Sequence, residues 1–240
     1  MNIFDAFIII GVAALIHASF QLGVSVLTLL SSHTIGKHRS HAKLLRLTGS
    51  FLIGTATMTT LLLSTTSLVL VNIFPLAPIP PLIWAVVCGL LIGSGVAVWA
   101  FYYRREQGTT LWLPRGFADY LSQRTKATRL SGEAFGLGLS SVLAEIIFIV
   151  GPILIASLFL IQLPPLWQLV GVAFYTIISL LSLLIVAALV GSGHKISRIQ
   201  KWREDNKYFL QFVAGGGLMV LGLYVYVEQV VAIVTKAGVQ

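Results

Sequence analysis

Six apolar runs, Phe7–Ser31, Leu47–Phe74, Leu82–Tyr103, Gly136–Ile161, Leu166–Val190 and Phe209–Val231, divide the chain, and each is long enough to cross a bilayer as a helix. A helix rises about 1.5 Å per residue, so about 20 residues match a hydrocarbon core of about 30 Å. Within lipid every backbone polar group needs an internal partner, and uninterrupted runs of this length meet that demand as helices. Composition agrees: 57% of the 240 residues are hydrophobic, only 10% are charged, and the mean hydropathy is +0.92, which excludes the soluble globular class. The expected fold is all-α, a polytopic membrane protein of six transmembrane helices. The first 30 residues lack a basic leader and a small-residue cleavage site, so the first run is expected to remain as a span.

Charge then orients the runs. Of the 16 Lys and Arg residues, 15 lie in alternate connections, His33–Arg46, Arg104–Arg129 and His194–Lys207, whereas Pro75–Pro81 and Gln162–Pro165 hold none. The excess of basic residues on cytoplasmic loops puts those three connections inside the cell and both termini outside, in a multi-pass cell-membrane protein. The net charge of +8 is thereby assigned to topology, with no nucleic acid partner. Trp84 and Trp167 follow the two proline-rich connections, where an interfacial aromatic belt would place them. The longest connection carries Trp112, Leu113, Phe117, Tyr120 and Leu121 among Arg115, Arg124, Lys126 and Arg129, the pattern of a short interfacial helix on anionic lipid. That connection separates two groups of three runs: residues 1–104, a cytoplasmic link at 105–132, and residues 133–240. Three is odd, so halves sharing a fold must be inserted upside down relative to one another, as two inverted three-helix repeats.

The fourth run carries one carboxylate, Glu145, six residues before Gly151-Pro152. Pro152 has no N–H for the carbonyl of Phe148, and Gly151 beside it lets the backbone bend or another helix approach closely, so a freed carbonyl is expected near mid-membrane beside the carboxylate. An ionisable group at mid-membrane costs at least about 2.5 kcal/mol, so Glu145 is expected to face the bundle interior. In the first run His17 and Gln21 share a helical face that Ser25 and Thr28 continue as a polar seam. Aligning that run with the fourth sets His17 on Glu145, Phe20 on Phe148 and Gly23 on Gly151, and the third and sixth runs also end alike. Equivalent positions of an inverted repeat face one central site, so His17 and Glu145 are expected to meet there as a proton relay or cation site. The plain alternative is a buried His–Glu hydrogen bond that fixes helix packing. The candidate site is therefore His17, Gln21, Glu145, Gly151 and Pro152.

Other features carry less. The second run is crowded with threonine, and Gly89 and Gly93 have the spacing of a close helix approach. His33, His38 and His41 lie among four basic residues with no acid beside them, so they read as a solvated loop rather than a metal site. Cys88 is alone, which rules out an intramolecular disulfide, a C-x-x-C pair and a cysteine metal centre. Nothing resembles a P-loop, a serine-hydrolase elbow or a zinc-protease helix; neither an enzyme nor a cofactor is expected.

The second half, with GLGLSSVLAEIIFIVGPILIASLF, the basic loop HKISRIQKWREDNK and the closing GGGLMVLGLYVYV, resembles the membrane domain of the CcdA/DsbD cytochrome c biogenesis family, part of the LysE-type transporter superfamily, over Phe135–Tyr226. The resemblance implies six helices in two inverted repeats, with a redox cysteine in the first helix of each. Those positions are Gln21 and Ile149 here, so the redox pair is absent. The first run is also similar to nickel/cobalt and urease-type metal transporters through His17, although their following Asp-His falls on Leu22-Gly23. The expected function is transport of a small solute or cation, proton-coupled through His17 and Glu145. The alternative is a non-redox membrane subunit in cytochrome c or thiol-protein maturation. The expected partners are the lipid bilayer, the solute or ion, and a membrane or soluble protein docking at the basic loops.

Overall fold

The computed structural model describes residues 2–20, 22–34, 41–74, 79–101, 115–192, 196–232 and 235, and these are helical apart from short turns and caps. In chain order the helices are α1 (Ile3–Ser19), α2 (Leu22–Thr34), α3 (His41–Ile73), α4 (Pro81–Phe101), α5 (Arg115–Ala127), α6 (Ser131–Ala144), α7 (Ile146–Leu160), α8 (Pro165–Ser179), α9 (Leu181–Gly191), α10 (Ile196–Asp205) and α11 (Lys207–Tyr226), the last running into a π-helical turn at Val227–Val231. Three of these are long and apolar enough to cross a membrane unaided: Ala42–Ile73, Pro81–Phe101 and Lys207–Val231. The protein is all-α and membrane-embedded.

The remaining apolar runs are bent. The first run breaks between α1 and α2 by 46°, the fourth between α6 and α7 by 81°, and the fifth between α8 and α9 by 49°. The largest bend falls at Glu145 and not at Gly151-Pro152, where the sequence leaves open either a bend or the close approach of another helix. Pro152 lies inside α7, and Glu145 holds φ −88° and ψ 0°, ending α6 and starting α7. A proline costs one helical hydrogen bond yet its fixed φ suits a helix, whereas a polar side chain drawn to a partner outside its own helix redirects the backbone. Leu180 makes the third break with nearly the same backbone angles, φ −86° and ψ −2°. Helix starts elsewhere follow local chemistry: Asn2 caps α1, Glu133 reaches back to the N–H groups of Arg129 and Leu130 ahead of α6, and Pro165 opens α8 at the position where its missing N–H costs nothing.

The breaks divide the hydrophobic interior into two cores. The first draws on α1, α4, α7, α8, α11 and the C-terminal half of α3, through Ile10, Leu63, Leu91, Phe159, Tyr175 and Leu218 among others. The second draws on α2, α5, α6, α9, α10 and the N-terminal part of α3, through Leu27, Leu47, Phe51, Leu137 and Leu183. Phe20 belongs to the first and Leu22 to the second; Ala144 to the second and Phe148 to the first; Tyr175 to the first and Leu180 to the second. A change of layer thus coincides with every break. α3 passes straight through both, with Val142 of α6 the one further crossing among the described residues.

Close helix contacts use glycine, though not at the expected pair. A Cβ on Gly89 or Gly93 would meet nothing within 4 Å; Gly95 of α4 lies against Gly215 of α11 instead, each Cβ position falling within 3 Å of the other's carbonyl oxygen. Gly54 of α3 and Gly138 of α6 make a second backbone-to-backbone approach, onto Phe135 and Phe51. Trp84 is a further correction. It is buried and packs edge-on against Phe159 with ring centres 5.2 Å apart, so it fills the first core, while Trp167 stays exposed. The long connection does hold a helix, α5. Its Tyr120 is exposed and its Leu121 is buried in the second core, while Trp112 and Leu113 and the side chain of Phe117 lie outside the described residues.

Candidate functional site

The three breaks converge on one small polar cavity. It is lined by His17 and Phe20 at the end of α1, Gly23 and Val24 of α2, Thr55 and Thr59 of α3, Ser141, Val142 and Glu145 at the α6–α7 bend, and Ser179, Leu180, Ser182 and Leu183 around the α8–α9 bend. Its volume is about 20 Å³, enough for one water molecule and little more. The cavity lies where the two cores meet. Among the lining hydroxyls, those of Thr55, Ser141 and Ser179 bond back to carbonyls of their own helices, at Phe51, Gly138 and Thr176.

Glu145 is only 7% exposed, and its carboxylate accepts hydrogen bonds from the backbone N–H of Leu22, 123 residues away, and of Gly23. These are the first two residues of α2, whose N–H groups have no partner within their own helix and whose end carries the positive pole of the helix dipole. Glu145 therefore caps a helix in the other half of the chain. The buried Arg203 of α10 donates to Ser25 Oγ at 2.8 Å and lies near enough to Glu145 to act on its charge.

His17 is 6% exposed and its Nδ1 pairs with the hydroxyl of the fully buried Tyr175 at 3.1 Å. The two candidate ionisable groups thus line one cavity while each is held by a separate partner, the Tyr175 hydroxyl for His17 and the α2 N-terminus for Glu145. Phe20 and Phe148, matched in the sequence alignment, stack across the same junction with ring centres 5.7 Å apart and planes inclined by 23°.

The other candidates fare differently. Gln21 lies outside the described residues. Gly151 packs against Leu91 of α4, and neither it nor Pro152 is among the residues lining the cavity. The polar seam from His17 through Ser25 to Thr28 is interrupted, because the helix breaks after Ser19 and Ser25 turns to Arg203. Tyr175, Ser179, Ser182 and Arg203 were not singled out from sequence. Tyr175, Ser179 and Ser182 recur at helical spacing in an apolar run, a signal that could have exposed them. Among the described residues no group of three or more His, Cys, Asp or Glu could hold a metal ion; His33, His38 and His41 have no described side chains. Cys88 is buried as a free thiol in α4. No protein family, no curated protein and no solved structure matches this chain.

Proposed function

We propose that the protein is a transporter-like membrane protein of six spans, and that the cavity at the three helix breaks is the passage site for a small solute or cation, with His17 and Glu145 as its proton-exchanging groups. The observation that carries this reading is the convergence of three broken helices on a cavity walled by those two residues. Broken helices with a free N-terminus near mid-membrane are the usual way a helical bundle offers polar backbone to a substrate or ion. A buried carboxylate among apolar helices is costly and is kept where it works.

Geometry supports counting each bent pair as one span. α6 and α7 have 14 and 15 residues, about 21 and 23 Å, and with an 81° bend their ends lie about 33 Å apart, near the hydrocarbon thickness of about 30 Å. Packing is what supports the inverted repeat: α1–α7, α4–α11 and α3–α8 are contacts between spans that the alignment makes equivalent, and α1–α7 has its counterpart in α2–α6. The basic helices α5 and α10 contribute to the second core, while Ile79 and Leu163 of the proline-rich connections belong to the first. With the second core facing the cytoplasm, both termini lie outside. The CcdA/LysE-type layout fits this arrangement.

In this reading the structure is an occluded state. A charged Glu145 holds the start of α2 through its dipole; a protonated Glu145 loses that hold, α2 can swing, and the cavity opens towards the second-core side. His17, beside the same cavity, exchanges the proton. The test is flux and thermal stability measured on the same reconstituted proteins. Glu145→Gln should abolish proton-coupled flux with the fold intact, His17→Gln should do the same, and the double variant should be no worse than either. Unchanged flux in Glu145→Gln would end the proposal, and lost stability with flux per folded molecule preserved would return the pair to packing.

A further inference from the structure

Beside the polar cavity, and sharing Val24 and Ser182 with it, a larger groove runs between α1, α2, α9, α10 and the start of α11. It encloses about 680 Å³ and its walls are almost wholly apolar: Leu15, Leu181, Ile185, Leu189 and Leu210 are among them. One wall differs. There α10 contributes Arg198, Trp202 and Arg203, with Arg198 exposed, Trp202 56% exposed and Arg203 buried. At Leu15 and Ser19 the groove meets a second apolar channel of about 410 Å³ that continues between α1 and α11 as far as Tyr224. The whole is a long apolar trough whose α10 wall carries the exposed Arg198 and Trp202 and the buried Arg203.

We propose that this trough is a binding site for an anionic phospholipid, its phosphate held by the exposed Arg198, with the buried Arg203 adding its charge from behind the wall, and its acyl chains laid along α1 towards Tyr224. Charge complementarity selects this occupant. A zwitterionic lipid would fill the apolar trough equally well but would set its own cation among the arginines. Guanidinium groups pair with phosphate through parallel N–H donors, and an indole at the mouth suits the boundary between headgroup and chain. The second chain of a partner helix would need its own acidic residue to meet Arg198, whereas an anionic lipid brings the phosphate and the apolar tail together. The site depends on membrane embedding alone and not on the transport reading.

The experiment uses the full chain in phosphatidylcholine nanodiscs containing increasing fractions of brominated phosphatidylglycerol or brominated phosphatidylcholine. Bromine quenches nearby indoles, and the difference between the wild type and Trp202→Phe isolates the signal of Trp202. Brominated phosphatidylglycerol should quench Trp202 at a lower mole fraction than brominated phosphatidylcholine, by about fivefold per arginine engaged. Arg198→Gln, at an exposed position where folding is not at stake, should remove about fivefold of that preference with an unchanged melting temperature. Equal quenching by the two lipids would overturn the proposal and leave the trough to bulk lipid. Relief of quenching by millimolar inorganic phosphate would assign the arginines to a free anion. An unquenched Trp202 in a particle holding two chains would assign the trough to a second copy. Either result also overturns it.

Discussion

Replacing Gly95 by alanine tests the helix contacts most directly, because sequence spacing and structure give opposite answers within one helix. A Cβ at Gly95 would lie 2.7 Å from the carbonyl oxygen of Gly215 and 2.6 Å from Met219 Cγ. The methionine can swing aside. The carbonyl belongs to the α11 backbone and must retreat from 2.7 to at least 3.4 Å for an ordinary contact, a separation of about 0.7 Å. The same seam carries Gln211 Nε2 donating to the carbonyls of Val98 and Trp99 at 2.7 and 2.8 Å, and Trp99 Nε1 donating to the carbonyl of Phe212 at 3.1 Å, all of which stretch if the helices part. Overpacking of this kind costs about 1–3 kcal/mol. At about 2–4 °C per kcal/mol for a chain of this size, Gly95→Ala should lower the melting temperature by about 2–12 °C. Gly89→Ala and Gly93→Ala meet nothing within 4 Å and should instead be neutral or stabilising by up to about 1 kcal/mol, since alanine favours a helix over glycine. Thermal unfolding of the detergent-solubilised variants, followed by intrinsic tryptophan fluorescence, reads all three. If Gly89→Ala or Gly93→Ala falls as far as Gly95→Ala, the α4–α11 register described here is wrong.

Two further outcomes are expected. Tyr175→Phe removes the hydroxyl paired with His17 and should cost about 1–3 kcal/mol, while His17→Phe combined with it should cost clearly less than the sum of the two single changes; strict additivity in melts would break the pairing. In a Cys88→Ala background, Ala77→Cys and Val239→Cys should react with an impermeant maleimide on intact cells and Lys201→Cys should not; the reverse pattern would invert the proposed orientation.

How far the sequence could be read depended on how local the cause was. Membrane embedding was legible because hydropathy is a property of each run by itself, and the inward direction of Glu145 followed from the cost of a charge in lipid. Phe20 and Phe148, set opposite one another in the internal alignment, stack in the structure. The breaks were not legible. Leu180 carries no glycine, proline or charge to announce one, and Glu145 turns the chain because its partner is a backbone N–H 123 residues away. Pro152 permits a bend without making one: a missing hydrogen bond is a local defect that a packed helix absorbs, while the 81° bend falls where Glu145 has its partner in the other half of the chain. Trp84 was misplaced at the membrane surface because the belt rule sees only distance from a loop, whereas Phe159 on another helix decides its burial.

The bond from Glu145 to the start of α2 also carries an order of events. Neither α6 nor α7 alone reaches across about 30 Å of hydrocarbon, so in the proposed six-span arrangement the fourth run enters a bilayer as one piece. During synthesis the N–H groups of Leu22 and Gly23 are made long before the carboxylate that will take them. Until the fourth run arrives, the start of α2 has no such acceptor; until α2 is beside it, Glu145 has no reason to bend its helix. In that arrangement the bend is the last thing this segment acquires, after insertion. It records that the two halves of the chain have found each other.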